Sequence, residues 1–128
     1  MFTVGVRRQF PARHYLIGGN WGNENEIHSH FYTLEVSLEG PGLDEHGYLM
    51  DIVEIECRLD RIMARLSDSV LNELPEFAGL NPSIEHLVEQ CCRWLLEGAG
   101  LSNPPLSAIS VKVFENDNAW ASCRRKIS

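Results

Sequence analysis

At 128 residues, with 44% hydrophobic and 23% charged side chains, the chain has material for one core and not two, which excludes disorder and a two-domain enzyme. Its formal net charge of −7 argues against nucleic acid as a partner, because phosphate binding needs a positive surface. No run approaches the roughly eighteen apolar residues of a membrane helix, and Arg7-Arg8 interrupts the first apolar stretch, so a cytoplasmic protein with no signal peptide and no membrane partner is expected.

Phe2, Val4 and Val6 alternate with Thr3, Gly5 and Arg7, the pattern of a half-buried strand over 2–8. Gly18-Gly19-Asn20-Trp21-Gly22-Asn23 reads as a loop. A second strand over 31–39 sets Tyr32, Leu34, Val36 and Leu38 against Thr33, Glu35, Ser37 and Glu39, and Gly40-Pro41-Gly42 ends it. Asp51, with Glu54 three residues on, caps a helix whose stripe is Ile52, Ile55, Leu59, Ile62, Met63 and Leu66. Asn81-Pro82-Ser83 opens a second helix carrying Ile84, Leu87, Val88, Cys91 and Leu95, which Gly98 is expected to stop. Asn103-Pro104-Pro105 then leads into a third strand with Ile109, Val111 and Val113 inward. The turn Asn116-Asp117-Asn118 returns the chain through a fourth strand, Ala119 to Lys126.

The order ββααββ predicts an α+β fold over one domain, 1–128: a four-stranded antiparallel sheet with two helices on one face. The uncovered face and the sheet edges predict a homo-oligomer. Cys57, Cys91, Cys92 and Cys123 show no Cys-x-x-Cys spacing and read as reduced, mostly buried thiols. Arg124-Arg125-Lys126 reads as a solvated strand end.

The chemistry concentrates in His28-Ser29-His30. Two residues apart on a strand, these imidazoles project to one side, in parity with Tyr32 and Leu34. If the first strand continues without a bulge through Phe10-Pro11-Ala12-Arg13-His14, His14 shares parity with Phe2, Val4 and Val6. Three nitrogens from two neighbouring strands then meet at the rim of the core, the ligand set of a catalytic zinc with an open fourth position. Glu35 and Gly40 after the pair look like part of a cupin signature. Glu35 has the opposite parity, and two helices do not suit an all-β barrel, so that reading is rejected. His46 and His86 lack convergent partners and read as surface or capping residues.

Taken together, these segments resemble the 6-pyruvoyl-tetrahydropterin synthase / 6-carboxytetrahydropterin synthase family over nearly the whole chain. Phe10-x-Ala12-x-His14 is similar to its first ligand motif and His28-Ser29-His30 to its His-Gly-His. Gly47-Tyr48-Leu49-Met50-Asp51, Leu71-Asn72, Asn81-Pro82-Ser83-Ile84-Glu85 and Phe114-Glu115 follow in family order. The resemblance implies a tunnelling fold (T-fold), zinc on His14, His28 and His30, and trimers or hexamers with sites at subunit interfaces. It also implies a small-molecule dihydropterin substrate, above all 7,8-dihydroneopterin triphosphate. By the same resemblance Glu115 takes the ring's amino and N–H groups, and Ser83 adds a contact to the ring.

Three positions depart from the family pattern. Glu24 stands where the family carries its catalytic cysteine, Ser67-Asp68 replaces its Asp-His pair, and Ser29 replaces the glycine between the paired histidines. A carboxyl (ordinary pKa ~4.3) is a weaker base than a thiolate (~8.5). It suits removal of a zinc-acidified hydroxyl proton better than removal of a carbon-bound one. Zinc-dependent retro-aldol cleavage to 6-hydroxymethyl-dihydropterin is therefore expected, with Glu24 as base and Glu26 in reserve. Synthase chemistry with another base, such as Asp68 from a neighbouring subunit, and a pterin-binding protein without catalysis are the alternatives.

Overall fold

The computed structural model describes residues 1–97 and 105–127. Gly98, Asn103 and Pro104, where a helix stop and a strand lead-in were expected, lie outside the described residues. Strand β1 runs Phe2–His14 and β2 runs His28–Gly40, both longer than their apolar alternation suggested. Helices α1, Ile52–Leu66, and α2, Ile84–Leu96, follow, then strands β3, Ala108–Phe114, and β4, Trp120–Lys126. The sheet order is β1-β2-β3-β4, every pair antiparallel. This is the four-stranded sheet with two helices expected from the sequence.

Pro11 does not end β1. Its carbonyl accepts the Asp68 N–H at 2.7 Å on the side away from β2, so its own nitrogen also faces that free edge. The missing N–H therefore removes no ladder bond, which is where a sheet tolerates proline. Continuity through Pro11 keeps parity from Val4 to His14, as the metal argument requires.

The inward faces of the strands close on the helices. Phe10 stacks on Tyr32 with ring centroids 5.2 Å apart, and Leu34, Val36, Leu38, Ile109, Val111 and Val113 extend the layer. Ile55, Leu59, Ile62 and Leu66 of α1 and Leu87, Val88, Cys91 and Leu95 of α2 complete the core. Some expected core positions stay outside it. Phe2 and Ile52 are exposed and Val4 and Val6 only half-buried, because β1 is a margin of the sheet and Ile52 is the first residue of its helix. Arg8 occupies an inward position of β1 and reaches Glu56 and Asp60 of α1. All four cysteines are free, and Cys57 is exposed rather than buried.

Local chemistry sets the helix starts. The Asp51 carboxylate accepts the Val53 N–H at 3.0 Å, and the Ser83 hydroxyl accepts the His86 N–H at 3.1 Å. Arg58 is a charged residue inside the helix layer. Its guanidinium donates to the Leu95 carbonyl at 2.8 Å and the Glu97 carbonyl at 2.9 Å, fastening α1 to the last turn of α2. Among the described residues no helix is long and apolar enough to cross a membrane.

Candidate metal centre and its cleft

Register places the histidines. His14 lies directly opposite His28 in the β1–β2 ladder, and His30 lies opposite Ala12, so three imidazoles share the inward face at one end of the pair. Their ring centroids are 4.5 Å (His14–His28), 5.1 Å (His14–His30) and 5.0 Å (His28–His30) apart, all edge to face. One ligand nitrogen from each lies within 4.8 Å of the others, so the three rings can hold one metal ion between them.

The outer nitrogens are committed. His14 Nδ1 is 2.9 Å from the Pro82 carbonyl, and His28 Nδ1 is 2.8 Å from the Glu26 carbonyl. A carbonyl only accepts, so each Nδ1 carries the hydrogen and donates it, leaving Nε2 with its lone pair bare. The Nε2 atoms of His28 and His30 are buried with no hydrogen-bond partner among the described residues. Buried polar atoms are rarely left so, and a cation between the rings would satisfy both. Burial holds the His14 imidazole below its ordinary proton affinity, against the smaller opposing pull of the Pro82 carbonyl. The neutral ring is the ligand form. The Tyr32 hydroxyl is 3.4 Å from His14 Nδ1, and burial pushes its phenol well above the ordinary range, so it stays un-ionised beneath the site.

The chain beyond β1 is clamped. The Asn72 side chain accepts the Tyr15 N–H at 3.0 Å and donates to the Tyr15 carbonyl at 2.9 Å, while Asn81 Oδ1 accepts the Ile17 N–H at 3.2 Å. Asn25 staples the following loop by donating to the Leu16 and Gly19 carbonyls, each at 3.0 Å. Asn25 and the Pro82 carbonyl were not anticipated from sequence. Their partners depend on how segments far apart in the chain meet, and no local pattern marks them.

A cleft of about 260 Å³ opens beside the triad, lined among others by His14, Leu16, Trp21, Glu24, Ser83 and Glu115. Glu24 is exposed, on the short helical turn Gly22–Asn25. Glu115, just past β3, sets a carboxylate oxygen 3.3 Å from His30 Nε2. The Ser83 hydroxyl borders the cleft but is occupied as the α2 cap. Glu26 does not line the cleft and contributes its carbonyl to His28 instead. Asp68 sits in the left-handed region (φ 62°) at the free edge of β1, its carbonyl 3.2 Å from Arg13 Nη2, and does not line the cleft of its own chain. His46 lies in an exposed turn, and His86 Nδ1 holds the Asn81 carbonyl at 2.6 Å, both as expected.

Comparison with known proteins extends these observations. The profile of the family described as 6-pyruvoyl tetrahydropterin synthase matches residues 3–126. A protein of Archaeoglobus fulgidus, named provisionally as a 6-carboxy-5,6,7,8-tetrahydropterin synthase, is 28% identical over 122 residues, 95% of each chain. The 6-pyruvoyl tetrahydropterin synthase of Caenorhabditis elegans superposes with a TM-score of 0.82 at 19% identity, covering 98% of this chain and 96% of that one. A catalytic-residue variant of the Plasmodium vivax enzyme superposes with a TM-score of 0.77 at 14% identity, covering 99% and 100%. At these identities the superpositions speak for the fold. The profile match leaves only the chain's extremities outside it, and so this protein belongs to the 6-pyruvoyl tetrahydropterin synthase family, a family of pterin biosynthesis.

Proposed function

We propose that the chain is a zinc-dependent lyase that shortens the side chain of 7,8-dihydroneopterin triphosphate by retro-aldol cleavage, releasing 6-hydroxymethyl-dihydropterin. The observation that carries this reading is the carboxylate of Glu24 bordering the same cleft as His14, where the family pattern has a cysteine. The Plasmodium vivax variant superposed above has alanine in place of a catalytic glutamate, which supports a carboxylate base in a relative of this fold. His14, His28 and His30 would hold the zinc, and a carboxylate anchor, Glu115, stands 3.3 Å from His30 Nε2.

When bound, zinc would act as a Lewis acid that lowers the pKa of a side-chain hydroxyl. Glu115 would accept two parallel N–H bonds from the amino and ring N–H groups of the pterin, fixing its long axis in the cleft. Glu24 would take the proton of the C2′ hydroxyl. The C1′–C2′ bond then breaks, its electron pair passes to C1′ in conjugation with the ring, and the remainder leaves as an aldehyde. Return of the proton to C1′ completes the product. Glu26 would serve as the base only if its loop turned, since its carboxylate lies off the cleft wall. Copies would assemble as a trimer or hexamer, and four free thiols suit the cytoplasm as the place of action.

In the test, zinc-loaded protein is incubated with 7,8-dihydroneopterin triphosphate and the pterins are identified by mass. The expected product is 6-hydroxymethyl-dihydropterin, and Glu24→Gln is expected to lower turnover by about 10²–10⁴ while retaining zinc. Unchanged turnover in that variant would rule out Glu24 as the base. A second reading is favoured by the name of the Archaeoglobus relative: 6-carboxytetrahydropterin synthase chemistry, with a base such as Asp68 supplied by a neighbouring copy. A 6-carboxy- or 6-pyruvoyl-tetrahydropterin product would establish it. Binding with no product at all would mark a pterin-binding protein without catalysis.

A further inference from the structure

The indole of Trp21 is the one large aromatic group on the cleft wall that the proposed chemistry leaves without a task. It is 44% exposed, although it borders the site. The other two tryptophans already carry a cation over the ring: Arg65 is 4.9 Å from the Trp94 centroid, and the Lys112 ammonium is 4.3 Å from that of Trp120. Among the described residues, Trp21 has neither a ring nor a cation as partner.

The loop is built to hold that indole still. A β-carbon on Gly19 would fall 2.7 Å from Cη2 and 2.9 Å from Cζ3 of Trp21, so the ring packs where only glycine leaves room. The backbone N–H of Trp21 donates to Asn25 Oδ1 at 2.7 Å, and the Asn25 side-chain amide donates to the Leu16 and Gly19 carbonyls, which fixes the backbone that carries the indole. Gly22, next along the chain, takes the left-handed backbone (φ 65°) that glycine adopts without strain. A fixed aromatic plane loses little conformational freedom when a ligand lands on it.

We propose that Trp21 is a specificity-determining residue, its indole stacking on one face of the flat heterocycle whose N–H edge Glu115 takes. This rests on the pterin reading above and adds a residue to it. Glu115 reads the edge of the ring, and Trp21 reads its flatness and aromatic face, so planar fused-ring ligands are favoured over puckered ones. Gly19 and Asn25 are then positioning residues for that stack.

The test uses 6-hydroxymethylpterin, a planar ring that is not turned over, titrated into the zinc-loaded full chain. Trp21→Leu should raise Kd on the order of tenfold, and Trp21→Phe should restore most of the loss. Gly19→Ala should weaken binding in the same direction by displacing the indole. Zinc content should be unchanged in all three. In a Trp94→Phe/Trp120→Phe background, the remaining emission should be quenched on binding, a reading that needs no Trp21 variant to fold. Parent-like affinity in Trp21→Leu, loss of zinc from that variant, or no quench of Trp21 would each overturn the inference while leaving the pterin reading intact. A zinc-loaded parent that binds no pterin would remove the reading itself and the stack with it.

Discussion

The tautomer of His14 and His28 is set by backbone carbonyls, of Pro82 and Glu26 respectively, rather than by side chains. Substitutions that move either backbone segment therefore disturb these two rings. Asn72 is where this can be tested, since it holds both backbone groups of Tyr15 beside His14. Asn72→Ala should lower stability by about 1–2 kcal/mol and weaken zinc binding, read by thermal unfolding and zinc titration. A variant that lost stability but bound zinc as the parent does would separate the clamp from the site. The buried His14 gives a pH signature. Its proton affinity is lowered on folding, so its stabilising contribution is full above the ordinary value of about 6.5. The contribution is lost as pH falls below that value, because the unfolded chain then takes the proton more readily. Metal-free protein should thus lose Tm on acidification, and His14→Asn should flatten the loss; equal slopes would contradict it. The triad was legible from sequence because strand parity is an arithmetic of two. Its carbonyl partners were not, because the start of α2 meets the end of β1 only in three dimensions.

Both helices begin where a side chain caps them. The Asp51 cap was readable, whereas Asn81-Pro82-Ser83 read as a cap followed by proline, and the cap of α2 is Ser83, with Asn81 turned to the Ile17 N–H instead. Ser83 carries the sharper consequence, since it caps α2 and borders the cleft at once. Ser83→Ala should cost about 1 kcal/mol in chemical unfolding, with pterin affinity little changed if its hydroxyl serves the helix alone. A stability loss near zero would mean the cap is dispensable. Strand lengths were less legible. The apolar alternation marked only 2–8 and 31–39, and the extension through Pro11 to His14 and back to His28 rested on the parity of the histidines. With the proline at an edge position, β1 and β2 run to thirteen residues each. The short helical turns at Gly22–Asn25, Leu71–Glu73 and Pro75–Phe77 left no periodic trace in the sequence, since three or four residues are too few to show one. Arg58, outside the apolar stripe of α1, is buried because the end of α2 offers it two carbonyl acceptors.

Across the whole molecule, the sheet ends in two unpaired margins, β1 and β4, and its face away from the helices exposes Phe31 and Trp120. Near its His14 end β1 is already engaged, by Asp68 on Pro11 and Ser69 on Arg13, which leaves residues 2–9 as the open stretch. Odd-numbered residues there point their N–H groups outward, in phase with Pro11 and Arg13. If copies join through this margin, Gln9→Pro should shift the mass in solution from trimer or hexamer toward monomer, whereas an unchanged mass would place the interface elsewhere. The order ββααββ and the layer arrangement were fully legible, because every strand and helix carries its own period. The central claim is that three imidazoles grip one cation, and zinc measured per chain by elemental mass spectrometry after loading and dialysis tests it most directly. About one zinc in the parent and almost none in His30→Ala is the expected result. A parent that retains no zinc, or a His30→Ala chain that retains as much, would contradict it.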